Sequence, residues 1–184
     1  MNAILKWLIF LLLAIAVGTF CYSYFNEGLL KKPLSPKKTV SFSIDDLKLK
    51  VFYNRPSKRD RDIFGGLVPL NQVWRTGANE ATTFETNQDL KIDGDMLPAG
   101  KYTLWTIPSD TIWTIMFNSK QYSWGVDENM KPLYKPEFDI ITIKVQPENI
   151  DNEVEQFTIA FDNSTDNLYL TMAWDKTKIA IPLK

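Results

Sequence analysis

From Leu47 onward the apolar residues of this chain return at every second position. Leu47, Leu49, Val51 and Tyr53 alternate with Lys48, Lys50 and Phe52; Ile141, Ile143 and Val145 alternate with Thr142 and Lys144; Ile179, Ile181 and Leu183 alternate with small or polar residues. A period of two is the signature of a strand that buries one face, because successive side chains point to opposite sides of a sheet. Further β-rich runs cover Val40–Ile44, Val73–Arg75, Ala81–Thr86, Leu90–Ile92, Lys101–Ile107, Ile112–Asn118, Gln156–Asp162 and Leu168–Ala173. Turn residues punctuate them at Asp93-Gly94-Asp95, Pro98-Ala99-Gly100, Pro108-Ser109-Asp110, 163–167 and Asp175-Lys176. No stretch after Thr39 keeps a helical period. The pattern predicts an all-β domain, an antiparallel β-sandwich of jelly-roll-like or immunoglobulin-like kind.

The start of the chain obeys a different rule. Trp7 to Phe25 reads WLIFLLLAIAVGTFCYSYF, without a charge, and as a helix it spans about 28 Å, the thickness of a bilayer core. Trp7 at one end and Tyr22, Tyr24 and Phe25 at the other suit interfacial aromatic belts. A cleaved signal peptide is the competing reading, with Lys6 as its basic region, but small-x-small cleavage patterns are poorly placed and Phe20 is a bulky neighbour for a lipidated Cys21. We expect a transmembrane helix, as anchor or uncleaved signal, over 1–25, a Pro/Lys linker over 26–38 and the β-sandwich domain over 39–184. A literal positive-inside count, with Lys31, Lys32, Lys37 and Lys38 after the helix, favours a cytoplasmic domain, yet domains of this size translocate largely regardless of a few lysines.

Composition removes whole chemistries. There is no histidine and a single cysteine, Cys21, so Ser-His-Asp and Cys-His catalysis, His-ligated metals, CxxC redox pairs and an intrachain disulfide are excluded. No cofactor, metal ligand set or catalytic residue is expected from the pattern. Between Thr39 and Lys184 stand 16 basic and 21 acidic residues, a net charge of −5, and an acidic domain does not suit nucleic acid.

The segments YNRPSKRDRDIFGGLVPLNQVWRTGANEATTF (53–84), LPAGKYTLWTIP (97–108) and WTIMFN (113–118) resemble the bacterial family known as domain of unknown function 2911. The resemblance runs from about Val40 to Leu183. It implies an exported, envelope-facing protein of the kind frequent in Bacteroidetes-type bacteria, with a signal or lipoprotein leader. It carries no activity with it.

Three groups of residues invite a function. Arg55, Lys58 and Arg59, followed by Trp74, Arg75, Asn79 and Glu80, make a local positive patch on an acidic domain, suited to phosphate, sulfate or carboxylate; internal pairing with acids would instead make them a staple closing one end of the sandwich. Arg75 stands out, because an arginine inside a strand needs a partner where it is buried. Tyr122 and Trp124, near a long loop, offer an aromatic platform for a sugar ring, while Trp105, Trp113 and Trp174 suit the core. Carboxylates such as Glu80 and Glu85 could form an acid-base pair. The leading expectation is a membrane-anchored, extracytoplasmic, non-catalytic binding module for a small anionic or carbohydrate ligand or an envelope protein partner. A carboxylate-based hydrolase and a structural protein-interaction domain are the alternatives.

Overall fold

A computed structural model describes residues 2–26 and 33–184. The chain divides into two units, Met1–Leu34 and Ser35–Lys184. The first holds α1, Ala3–Asn26, whose Ala3–Phe25 stretch is long and apolar enough to cross a membrane. None of its described side chains is buried, and the Thr19 hydroxyl donates to the carbonyls of Ile15 and Ala16, which keeps its one mid-helix hydroxyl satisfied. Part of the expected 26–38 linker, with Lys31 and Lys32, lies outside the described residues. Its last two residues, Lys37 and Lys38, already belong to a strand.

The second unit is built from ten strands in two antiparallel sheets. The larger sheet takes β1 (Lys37–Ile44), β2 (Leu47–Asn54), β3 (Thr83–Thr86), β6 (Gly100–Ile107), β7 (Trp113–Asn118) and β8 (Asp139–Val145), in that spatial order. The smaller takes β5 (Asp95–Leu97), β4 (Leu90–Ile92), β10 (Leu168–Leu183) and β9 (Glu148–Asp162), in that order. The alternation decides which face of each sheet turns inward: Leu49, Val51 and Tyr53 of β2, Phe84 of β3, Leu104 of β6 and Ile115 and Phe117 of β7 meet Phe157, Ile159, Leu170, Met172 and Ile181 from the smaller sheet in one buried cluster. Burying a large aliphatic or aromatic side chain contributes roughly 1.5–3 kcal/mol, so this cluster is the main force holding the two sheets face to face.

Three local readings are corrected. Asp175-Lys176 is not a turn between two strands but a bulge inside the 16-residue β10, where pairing with β9 shifts register on both sides of Asp175. Between the Ala173–Thr158 and Lys178–Glu148 pairs β10 advances five residues while β9 advances ten, and the inward positions of β10 run Leu170, Met172, Trp174 before this irregularity and Ile179, Ile181, Leu183 after it. Val73–Arg75 is not a strand of its own; Trp74 makes a single antiparallel bridge to Thr106. Asp95–Leu97, of which the sequence marks only Asp95 and that as a turn residue, is a short strand paired with β4, and Asp93 and Gly94 between them take φ of 50° and 98°, the left-handed pair that a tight hairpin demands.

Both long connections are ordered parts of the domain. Residues 55–72 pin to β9 through a bridge between Ser57 and Gln156 and send Ile63 and Val68 into the core. Residues 119–138 lie over the outer face of the larger sheet, where Tyr122 and Tyr134 pack on Trp105, with Ala81 and Met116 in the same cluster. Trp105 therefore fills a second, smaller core, while Trp113 and Trp174 sit in the main one.

Candidate functional site

The segment Trp74–Thr82 is shaped by residues whose backbones point the wrong way for L-amino acids. Thr76, Gly77 and Asn79 have φ of 55°, 150° and 56°. Gly77 lies so close to β2 that an added Cβ would sit 3.0 Å from the Asn54 carbonyl oxygen, and the buried, β-branched Thr76 carries strain of about 1–3 kcal/mol in this region. Hydrogen bonds hold the segment in shape: the Trp74 indole donates to the Gly77 carbonyl at 3.1 Å, the Thr82 hydroxyl to the Thr76 carbonyl at 2.6 Å, and the Thr76 hydroxyl to that of Thr106 at 3.2 Å.

Behind it, the fully buried Asn54 acts as a hub. Its amide nitrogen donates to Glu80 Oε2 at 2.7 Å, its oxygen accepts from Asn79 at 3.4 Å, and Glu80 Oε1 is 2.5 Å from Lys37 Nζ. Lys37 holds the Glu80 carboxyl below the ordinary glutamate range, with help from Asn54 and against partial burial. Arg75 is not Glu80's partner. The Arg75 stem lies against Gly125 of the 119–138 loop, and burial pushes its guanidinium pKa down with no opposing charge.

A shallow groove of about 560 Å³ opens on the outer face of the larger sheet. Its floor is set by register: Thr39 of β1 pairs with Phe52 of β2 and Phe52 with Thr83 of β3, while Lys50, Glu85 and Lys101 follow one another across β2, β3 and β6. Glu80 and Ala81 form one part of its wall and Gln121, Tyr122 and Ser123 another. The groove thus offers an aromatic ring at Phe52, the half-buried ring of Tyr122, two ammonium groups, two carboxylates, an amide and several hydroxyls. Lys50 and Glu85 stand 3.7 Å apart, both about half exposed, a spacing that leaves their donors and acceptors open to exchange with a ligand.

The sequence candidates fall into three sets. Glu80 and Tyr122 line the groove, and Arg75 and Asn79 adjoin its wall through Gly125, whose N–H donates to the Asn79 carbonyl at 3.1 Å. Arg55, Lys58 and Arg59 turn instead to the smaller sheet: Arg55 donates to the Phe157 carbonyl and to the Thr158 hydroxyl at 3.2 and 2.8 Å, Lys58 bridges Asp175 and Glu153 at 2.7 and 2.8 Å, and the Arg59 N–H donates to Glu155 at 3.1 Å. Trp74 is core, stacked on Trp174 at 6.1 Å and edge-on to Phe157 at 5.0 Å. Trp124 is exposed and is not part of the groove lining, so it and Tyr122 do not make one platform there. The residues missed were Lys37, Lys50, Phe52 and Lys101. The period of β2 already puts Lys50 and Phe52 on the outward face; which strands lie beside it is a long-range fact that periodicity does not encode.

Among the described residues no group of three or more His, Cys, Asp or Glu side chains is arranged to hold a metal ion. Tyr134 and Asp139, joined by a short hydrogen bond, and Asn118, whose amide donates to Lys135 O and to Asp139 Oδ1 at 2.8 Å each, close the base of the 119–138 loop. Burial and the Asp139 carboxylate push the Tyr134 phenol well up, so it keeps its proton and serves as a donor.

Fold and surface together define a class: an all-β domain of two packed antiparallel sheets, preceded by an apolar helix and grooved on its outer face. Residues 35–183 match the family described as Protein of unknown function (DUF2911), and the chain belongs to that family. No curated protein and no solved structure matches it.

Proposed function

We propose that the domain is a non-catalytic binding module for carbohydrate, held at the membrane by its N-terminal helix and facing away from the cytoplasm. The observation that carries this reading is the composition of the groove. The Phe52 ring on its floor, with Lys37 Nζ 6.0 Å from the centroid, suits the apolar face of a sugar ring, and the charges around it supply both donors and acceptors. A hydroxyl-rich ligand satisfies both kinds; a simple anion gains little where Glu80 and Glu85 offset Lys50 and Lys101. An extracytoplasmic placement is what the family resemblance supports. Proton-transfer chemistry is disfavoured, because Glu80, held ionised by Lys37, is a poor proton donor at neutral pH.

The test is binding of the full-length chain in detergent micelles to a panel of oligosaccharides. Phe52→Ala is expected to weaken the best binder at least tenfold while leaving the unfolding midpoint close to wild type, since Phe52 is only half-buried. Binding unchanged in Phe52→Ala, or no binding across the panel, overturns the reading. Release of new reducing ends, lost in Glu80→Gln, would put the carboxylate hydrolase in its place.

A further inference from the structure

Among the described residues, one buried side-chain nitrogen or oxygen has no hydrogen-bond partner, and it is Nε of Arg75. Buried polar atoms are almost always paired, and a lone exception calls for a reason. The other arginines show the usual behaviour: Arg55 donates to Phe157 and Thr158, and Arg61 donates to the carbonyls of Lys58 and Ser57 at 2.9 and 2.6 Å. None of the ion pairs that join Lys37, Lys50 and Lys58 to acids includes Arg75. Only Nε is sealed; the two terminal nitrogens of the guanidinium, equally without a protein acceptor, reach the surface.

The surroundings have been cut to fit this side chain. A Cβ at Gly125 would overlap Cδ, Cβ and Cγ of Arg75, so position 125 does without a side chain in order to roof the arginine stem. Thr76, next in the chain, holds its strained left-handed backbone while fully buried. An uncompensated, partly desolvated charge and a strained β-branched residue both cost stability. That the two occur side by side, under a glycine shaped to receive one of them, is the pattern of a site kept for a ligand.

We propose that Arg75 anchors an oxyanion site that takes a small-molecule carboxylate or phosphate, two of whose oxygens dock on its planar N–H fork. The guanidinium geometry matches such groups bidentately, which a spherical anion cannot exploit. The domain's net charge of −5 gives an anion no long-range attraction, so recognition rests on this short-range fit. The inference stands on Arg75, Thr76 and Gly125 and holds whether or not sugars occupy the groove.

The experiment is the unfolding midpoint of the full-length chain in detergent micelles with inorganic phosphate, acetate or chloride at equal ionic strength. Phosphate or acetate at tenfold its dissociation constant is expected to raise the midpoint by about 3–6 °C over chloride, and the anion that does so names the group on the ligand. Arg75→Met is expected to abolish that response and to raise the midpoint in chloride, because a lone partly buried charge is removed. Arg75→Lys keeps the charge and loses the fork, and its response is expected to fall at least tenfold in apparent affinity; it provides the reading if the methionine variant does not fold. No response in wild type, or one that survives undiminished in either variant, overturns the proposal.

Discussion

Two glycines separate the reasons a position refuses a side chain. At Gly94 an added Cβ meets nothing within 4 Å, and only the φ of 98° resists substitution; at Gly125 an added Cβ runs into the stem of Arg75. Gly94→Ala is therefore expected to cost about 1 kcal/mol through the backbone alone. Gly125→Ala is expected to cost about 1–3 kcal/mol through overpacking; in the Gly125→Ala, Arg75→Ala double variant the contacts with Cδ and Cγ disappear while that with the retained Cβ at 2.7 Å stays, so only part of the loss is recovered, as a urea-unfolding double-mutant cycle would read. Glu80 gives a pH prediction with a definite sign. Its carboxyl is held below the ordinary value of 4.5 in the folded domain, so its contribution is complete above that value and lost as pH falls through the lower, folded one. Glu80→Gln will lower the unfolding midpoint at pH 7, and the gap to wild type will close as the pH drops below 4.

At the scale of elements, the bulge in β10 lets one 16-residue strand serve the core with two parities. Asp175 occupies it with φ of 54° and accepts a hydrogen bond from Lys58 at 2.7 Å. The two demands can be split. Asp175→Asn keeps a residue type that tolerates the left-handed region and loses the charge; Asp175→Leu loses both, and is expected to cost roughly 1–2 kcal/mol more by urea denaturation. The same bulge marks where sequence reading stops. The runs 168–173 and 179–183 each displayed a period of two, and the switch between them resembles a turn because Asp favours both turns and left-handed bulges. Local pattern shows that two half-buried stretches exist; that they are one strand shows only in the pairing with β9, which resumes on both sides of Asp175 after each register shift.

For the whole molecule, the division into Met1–Leu34 and Ser35–Lys184 leads to a simple expectation. The fragment 35–184 will be soluble and unfold in one cooperative transition, while the full chain will stay with the membrane fraction through an alkaline carbonate wash. A fragment that aggregates, or a full chain released by carbonate, would contradict it. The apolar helix and the all-β class were legible because each depends on composition or period. The groove was not, since its lining comes from strands brought together across the sheet and from two loops, and the scattering of Arg55 and Lys58 away from Arg75 was hidden because the partners that draw them off, Thr158 and Asp175, lie about a hundred residues further along.

The self-bonded segment from Trp74 to Thr82 also bears on the time course of recognition. With its indole, hydroxyls and Asn79 amide engaged inside the protein, it has little freedom to surrender when something docks beside it. Association there should follow a rigid lock-and-key course, a single exponential whose rate rises linearly with concentration and shows no plateau in stopped-flow mixing; differences in affinity among ligands would then appear as differences in how long each one stays.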